Sequence, residues 1–146
     1  DYKYHWIYPN NDFGYKVLIK FFKSSKVRDK VQIIKNLDRD KFLDLMLNSE
    51  AMIGNSSSGI IEAPSFKLPV INIGNRQHMR PRAKNIVNTS YNQNDIVKKM
   101  KFIFNNKNFL KKNKTTKNFY YKKNSAKQII KILKKLKKKD SLFKKI

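Results

Sequence analysis

The sequence contains no cysteine, which excludes disulfides, thiolate metal sites and cysteine nucleophiles. Only two histidines are present, so we do not expect a histidine-rich metal site either. No apolar run approaches the ~20 residues that cross a membrane, and no signal peptide is recognisable. The 146 residues give room for one domain of ordinary size. Because the chain starts at Asp1 rather than at Met, we expect it to be a piece of a longer protein.

Acidic residues are also scarce, and the formal net charge is +24. Residues 1–96 carry 15 basic and 9 acidic residues, whereas residues 97–146 carry 19 lysines and one acid, Asp140. Such a charge is typical of nucleic-acid binders. However, 29 of the 34 cations are lysine, and readers of bases and phosphates favour the bidentate arginine. Lys, Asn and Ile share AT-rich codons, so a genome-wide codon bias is the alternative explanation and the one we favour.

Strand and helix signals alternate through residues 1–105, which we interpret as one domain. Apolar, β-branched or aromatic runs predict strands at residues 4–8, 31–34, 51–54, 69–74 and 86–87. Apolar residues at helical spacing predict helices that include residues 17–22, 42–47, 60–66 and 94–104. Several of the strands are apolar on both faces, so the fold class we predict is α/β, a parallel sheet flanked by helices.

Residues 106–146 form a Lys-rich C-terminal segment that we assign to the same domain. Its first part, up to Asn124, predicts a loop or a poorly ordered helix. Ser125 is predicted to cap a final amphipathic helix. The apolar stripe of this helix contains Ala126, Ile129, Ile130, Leu133 and Leu136. We expect the stripe to pack on the same domain or on a neighbouring one; a membrane-surface helix is the less favoured alternative, because the stripe lacks Trp and Phe.

A polar loop at residues 55–59 follows the strand that ends at Gly54. Backbone N–H groups at the start of the next helix attract anions, and the serines at 56–58 add hydroxyl donors. Gly59 is expected to let a ligand approach the backbone closely. In a parallel sheet the loop falls at the carboxyl edge, where ligands bind. The alternative is a solvated linker that only caps a helix, and no P-loop sequence is present.

Two charged residues favour a nucleotide site at this edge. Glu62 is predicted in the first turn of the helix, where its carboxylate can accept both hydroxyls of a cis-diol. Its alternative role is a favourable charge on the helix dipole. Arg76 follows the strand ending at Gly74, and arginine there can bind a phosphate or stack on a base. With Arg80 and Arg82, it places three of the five arginines close together.

A long joint pattern runs through this region. It consists of MIGNSSSGIIEAPS at residues 52–65, PVINIG at residues 69–74, and Arg76-Gln77 with Arg80. A PNNDFG turn stands at residues 9–14. These segments resemble the C-terminal domain of UDP-N-acetylglucosamine 2-epimerases, and the hydrolysing, sialic-acid-pathway branch more than the other branch. The resemblance covers roughly residues 5–105 of the chain.

The resemblance implies one half of a glycosyltransferase-B type fold, in which two Rossmann-like domains enclose the substrate. This chain would be the half that binds the UDP part of a UDP-sugar. Ser56 and Ser57 would then hold the diphosphate, and Glu62 would hold the ribose hydroxyls. These implied roles agree with the separate argument from the loop and its carboxylate.

Three further contacts and two departures follow from the same resemblance. Asn10 and Arg76 would contact the nucleotide, and the backbone near Leu37 would meet the edge of the uracil. Lys67 and Met79 stand where the family commonly has glycine. Lys67 falls on a predicted surface turn. Met79, in place of glycine, is expected to alter the loop beside the nucleotide.

The reaction implied for the intact enzyme converts UDP-N-acetylglucosamine into N-acetylmannosamine and UDP. An acid or base must reach C2 of the sugar to move its proton, and we find no catalytic constellation in this chain. Asp12 is a turn residue, and His78 has no evident partner. The acid/base groups are expected from an absent N-terminal domain, or from a split partner, so the chain alone is expected to be inactive. The resemblance implies a cytoplasmic homo-oligomer with no cofactor, metal or membrane partner; a basic nucleic-acid or anionic-surface binding module is the alternative.

Overall fold

The structure is a computed structural model that describes residues 2–9, 13–24 and 30–135. Strands and helices alternate in it, as the sequence predicts. The elements in chain order are β1 (Tyr4–Ile7), α1 (Tyr15–Ser24), β2 (Val31–Ile34), α2 (Arg39–Leu47), β3 (Met52–Gly54), α3 (Ser58–Ile61), a 3-10 turn (Ala63–Phe66), β4 (Val70–Ile73), β5 (Ile86–Thr89), α4 (Gln93–Asn105), α5 (Lys107–Lys114) and α6 (Ser125–Lys135). Within the described ranges, no helix is long and apolar enough to cross a membrane.

The strands lie in two compact units, which are divided between Asn48 and Ser49. In the first unit β1 and β2 pair in parallel. In the second unit β3, β4 and β5 form a parallel sheet with β4 in the centre. Parallel neighbours need crossover connections, which α1 supplies in the first unit and α3 with the 3-10 turn supplies between β3 and β4. The predicted class, parallel strands flanked by helices, is therefore confirmed.

Helix α1 in the first unit carries apolar side chains that are not all buried. Phe22 stacks on Trp6 of β1, with ring centroids 4.1 Å apart. Val17, Leu18 and Phe21 are more than half exposed. The predicted amphipathic helix is therefore present, but only one side of its apolar surface is buried against described residues.

Helix α2 is capped by Asp38 at its N-terminus. The Lys41 N–H donates to Asp38 Oδ1 at 2.9 Å, and Lys41 Nζ lies 3.1 Å from Asp38 Oδ2. The hydrogen bond from the Lys41 backbone, reinforced by the Lys41 side chain, holds the pKa of the Asp38 carboxyl below its usual value of 3.8.

We expect the Asp38 carboxyl to titrate below 3.8 in the folded chain, which NMR of the carboxyl carbon would measure. Since the folded pKa is the lower one, the cap contributes stability above the unfolded pKa, and that contribution is lost as pH falls through the folded pKa. Asp38→Asn caps without titrating and should remove this component from the acid unfolding curve. A titration midpoint at or above 3.8 would contradict the capping contact.

The core of the second unit lies between the central strand and the two helices that follow the sheet. Ile71 of β4 and Ile103 of α4 are fully buried, and Phe109 of α5 joins them at 8% exposed. Helix α5 begins where the Asn106 side chain accepts the Phe109 N–H at 2.8 Å. Of the predicted loop or poorly ordered helix after Asn105, the structure has a capped helix over residues 107–114, anchored by one buried aromatic, and then irregular structure up to Asn124.

Helix α6 is present, but its start differs from the prediction. The Gln128 N–H donates to Asn124 O at 3.0 Å, so Asn124 occupies the cap position predicted for Ser125. The Ser125 hydroxyl instead donates to Lys122 O. Ile129, Ile130 and Leu133 are at least half exposed, and the packing predicted for their stripe stays a prediction. Leu136 lies outside the described residues.

Candidate functional site

The polar loop lies at the carboxyl edge of the three-stranded sheet. β3 ends at Gly54 and its parallel neighbour β4 ends at Ile73, so the segments that follow them leave the same edge. Gly54 has a φ of 151° and Gly74 a φ of 71°, a region that favours glycine. Two glycines thus let the chain turn at this edge as it leaves both strands.

Three backbone N–H groups at the end of the serine loop, residues 55–59, and at the residue after it are bonded within this segment. The Gly59 N–H donates to Ser56 O at 3.2 Å, and the Ile60 N–H donates to Ser57 O at 2.9 Å. The Ser58 N–H reaches Ser56 Oγ at 3.3 Å. Because this oxygen already accepts a hydrogen bond, its own O–H hydrogen is left to donate to another group. Ser56 is exposed, so its hydroxyl is a donor at the surface, and the anion contact stays a prediction.

Gly59 has a different role from the one predicted. It is buried, and a Cβ atom placed on it would lie 2.9 Å from Val70 Cγ1. A glycine is therefore needed here for α3 to pack closely on the central strand β4. The expectation that its missing side chain makes room for a ligand is wrong, because that space faces the sheet.

Glu62 lies at the junction of α3 and the 3-10 turn, not in the first turn of a helix over residues 60–66. Its N–H donates to Ser58 O at 3.0 Å, which completes the single turn of α3. The next turn is 3-10, with the Ser65 N–H donating to Glu62 O at 2.9 Å. Pro64 lacks an N–H and cannot continue the α-helical pattern. The half-buried carboxylate thus follows the serine loop by one helical turn.

Gln77 links the turn that carries Arg76 to the serine loop. It is 4% exposed, and its Nε2 donates to Asn55 O at 2.9 Å. The backbone carbonyl of Gln77 accepts a hydrogen bond from Arg82 Nη2 at 3.0 Å. Arg76 is the exposed neighbour of this buried anchor. Sequence reasoning assigned no role to Gln77; the signal was its place in the joint pattern, directly after Arg76.

We expect Gln77→Ala to destabilise the chain by about 1–3 kcal/mol, because a part-buried hydrogen bond to Asn55 O and the packing of the buried Gln77 side chain would be lost. Urea unfolding followed by circular dichroism measures this loss. Gln32→Ala is the matched control, since Gln32 is an exposed glutamine on a strand. Equal midpoints for the two variants would show that the link between the two segments contributes nothing.

The other predicted site residues belong to the first unit. Leu37 lies in the loop between β2 and α2, half-buried, and lines a shallow cavity of about 330 Å³ that also involves His5 and Asp44. Asn10 lies outside the described residues, as does Asp12. His78 is exposed. Among the residues that are described, no group of three or more His, Asp or Glu could hold a metal ion.

The structure explains one of the two departures at glycine positions. Lys67 has a φ of 55°, the left-handed region that glycine adopts most easily, and ends the 3-10 turn. The Asn113 side chain donates to Lys67 O at 2.7 Å, which holds this conformation. Met79 is 90% exposed, so its side chain reaches into solvent from the turn after Arg76.

Comparison with known proteins assigns the chain. The family model described as UDP-N-acetylglucosamine 2-epimerase matches residues 1–134. The chain belongs to this family. The match covers the strands, the serine loop and the Arg76 turn together, and confirms the resemblance of the sequence to UDP-N-acetylglucosamine 2-epimerases.

Two curated members of the epimerase family carry the word hydrolyzing in their names. The chain is 42% identical over 89 residues to a UDP-N,N'-diacetylbacillosamine 2-epimerase (hydrolyzing) of Legionella pneumophila, which is 61% of this chain and 24% of that protein. It is 52% identical over 66 residues to a GDP/UDP-N,N'-diacetylbacillosamine 2-epimerase (hydrolyzing) of Campylobacter jejuni, 45% of this chain and 17% of that protein. The chain therefore spans a quarter or less of the length of these relatives.

A solved epimerase shares the fold. The UDP-GlcNAc 2-epimerase of Methanocaldococcus jannaschii, crystallised in complex with UDP-GlcNAc and UDP, superposes with a TM-score of 0.60 at 23% identity. The likeness covers 81% of this chain and 31% of that one. It confirms the Rossmann-like α/β fold of the epimerase family, of the kind that forms one half of a glycosyltransferase-B type pair of domains.

Proposed function

We propose that the chain is the UDP-binding half of a hydrolysing UDP-N-acetylglucosamine 2-epimerase, which converts UDP-N-acetylglucosamine into N-acetylmannosamine and UDP. The observation that carries the proposal is the link between the two segments at the sheet edge. Gln77 binds Asn55 O at 2.9 Å, so the serine loop and the turn carrying Arg76 are held as one surface in a member of the epimerase family.

This surface has the donors and the acceptor that a nucleoside diphosphate needs. The hydroxyls of Ser56 and Ser57 donate to diphosphate oxygens, and Arg76 supplies the positive charge. Glu62, one turn beyond the loop, accepts hydrogen bonds from the two ribose hydroxyls. Donors thus face the anionic part of the ligand, and the acceptor faces its diol.

The remaining contacts and partners complete the proposal. Asn10 contacts the nucleotide, and the backbone near Leu37 meets the uracil edge. The groups that move the proton at C2 of the sugar come from a second domain of the same enzyme or from a split partner, so the chain alone is inactive. We propose that the intact enzyme is a cytoplasmic homo-oligomer without a cofactor.

A second candidate for the sugar comes from the relatives. The hydrolysing relative at 42% identity is named for UDP-N,N'-diacetylbacillosamine, and the one at 52% identity for GDP/UDP-N,N'-diacetylbacillosamine. The proposed contacts of this chain are with the UDP part of the ligand, so residues outside this site would select the sugar. The same UDP site could therefore bind either UDP-N-acetylglucosamine or UDP-N,N'-diacetylbacillosamine. UDP-N,N'-diacetylbacillosamine is therefore the alternative substrate that we propose.

Calorimetric titration tests the proposal. We expect UDP to bind the chain with a modest dependence on salt, because the site is built largely on hydrogen bonds. Binding to nucleic acid through the Lys-rich segment would instead fall steeply with salt, as counterion release requires. Absence of binding at millimolar UDP, or equal binding of UDP and a random RNA with a steep salt slope, would contradict the nucleotide assignment.

A further inference from the structure

Asn118, in the Lys-rich segment, lies against the junction that carries Glu62. Its Nδ2 donates to Ile61 O at 2.8 Å and to Ser65 Oγ at 2.7 Å. Its Oδ1 accepts the Tyr120 N–H at 2.8 Å. Both amide hydrogens therefore go to residues that flank Glu62, and the amide oxygen ties Asn118 to its own segment.

The backbone at this junction leaves a carbonyl in need of a donor. Ile61 O would accept the N–H of the third or fourth residue beyond it in a regular helix. The third is Pro64, which has no N–H. The fourth is Ser65, whose N–H donates to Glu62 O instead. Asn118 supplies the missing donor, and so stabilises the change from α-helix to 3-10 turn where Glu62 sits.

The segment around Asn118 is held in place at both ends. On one side the Asn113 side chain donates to Lys67 O at 2.7 Å. On the other side Tyr120 Oη reaches Pro81 O at 3.3 Å. These bonds join residues that are far apart in the sequence, so the segment forms a strap across residues 61–81. Asn118 is the member of the strap that binds residues on both sides of Glu62 in the sequence, namely Ile61 and Ser65.

We propose that Asn118 is a positioning residue for Glu62, and that it sets the direction from which the carboxylate meets the ribose diol. The inference rests on the proposed role of Glu62 in holding the ribose hydroxyls. Two hydroxyls can share one carboxylate only within a narrow range of geometry. The bonds on either side of Glu62 fix its backbone, and hence the origin of its side chain.

The test is the ratio of the affinities for UDP and 2′,3′-dideoxy-UDP, measured by calorimetry on the full chain. We expect the wild type to prefer UDP by tenfold or more, since a charged acceptor would lose its hydroxyl partners in the analogue. Glu62→Ala should bring the ratio close to one. Asn118→Ala should lower the ratio several-fold, and adding it to Glu62→Ala should lower it no further, because the two residues act as one unit.

Asn113→Ala is the matched control. It removes the same kind of side-chain-to-backbone bond from the same strap, but at Lys67, beyond the junction. It should lower stability like Asn118→Ala and leave the ratio at its wild-type value. Asn118→Asp is the second variant, because it keeps the shape and the acceptor for the Tyr120 N–H while losing the donors. It should lower the ratio even if the alanine variant does not fold.

The outcomes separate the two ideas. A wild type that fails to bind UDP, or binds both nucleotides equally, overturns the role of Glu62 and this inference with it. A wild type that discriminates, with Glu62→Ala losing the discrimination, supports the role of Glu62. If Asn118→Ala and Asn118→Asp then keep the full ratio, or if Asn113→Ala loses it equally, Asn118 is not a positioning residue.

Discussion

Glu62→Ala is expected to weaken UDP binding by at least about 100-fold. The carboxylate is the acceptor that we propose for both ribose hydroxyls, and each hydrogen bond to a charged group contributes about 1.5–3 kcal/mol. The electrostatics of the chain work against this loss. Removing an acid from a chain of net charge +24 should strengthen its attraction for an anion slightly. A large loss therefore reports contacts with the ribose rather than a change of overall charge.

Glu50→Ala is the matched control for Glu62→Ala. Glu50 is an exposed glutamate ahead of β3, in the same unit, and its removal changes the net charge by the same amount. Calorimetry with UDP and with inorganic pyrophosphate separates the two parts of the ligand. We expect Glu62→Ala to bind pyrophosphate at least as tightly as the wild type does, and Glu50→Ala to bind both ligands at least as tightly. A similar effect of the two substitutions on UDP would contradict the proposed contact.

The strands that position the site could be predicted from the sequence because their signals are local. Residues 70–72 of β4 are buried, and the apolar residues Val70, Ile71 and Ile73 around the buried Asn72 give the nearly continuous apolar run of a central parallel strand. The position of the loop follows from where β3 and β4 end. Sequence spacing alone placed Glu62 close to the loop, although the helix begins at Ser58 and stops at Ile61. The predicted helix over residues 60–66 was wrong because Pro64 divides residues 58–66 into one turn of α-helix and one 3-10 turn.

The remainder of the site depends on contacts between distant residues, which local patterns do not contain. Gln77 bonds to Asn55 across 22 positions, and Asn118 bonds to Ile61 across 57. In the sequence, neither Gln77 nor Asn118 can be distinguished from the solvent-exposed polar residues that surround it. Helix α5 was not predicted as a defined helix because its two turns are mostly lysine and asparagine. Apolar residues do not recur there often enough to show a helical period.

Phe109→Ala is expected to destabilise the chain by about 3–5 kcal/mol, the range for truncating a buried aromatic. Phe109 is 8% exposed and packs with Ile71 and Ile103, which are fully buried. Its ring also lies 5.4 Å from that of Phe102. Because small domains are stable by only about 5–15 kcal/mol, the variant should unfold at a much lower urea concentration. The Lys-rich segment is then part of the folded domain rather than a tail attached to it.

Phe119→Ala is the matched control for Phe109→Ala, because it removes the same aromatic ring from an exposed position. Phe119 lies in the same Lys-rich segment and is 66% exposed, so its truncation should cost less than about 0.5 kcal/mol. Urea unfolding followed by far-ultraviolet circular dichroism compares the two variants at equal concentration. A loss of stability in Phe109→Ala no larger than that in Phe119→Ala would mean that α5 does not contribute to the core. A large loss confined to Phe109→Ala would place the boundary of the folded domain beyond residue 105, because the core would then need a side chain from the Lys-rich segment.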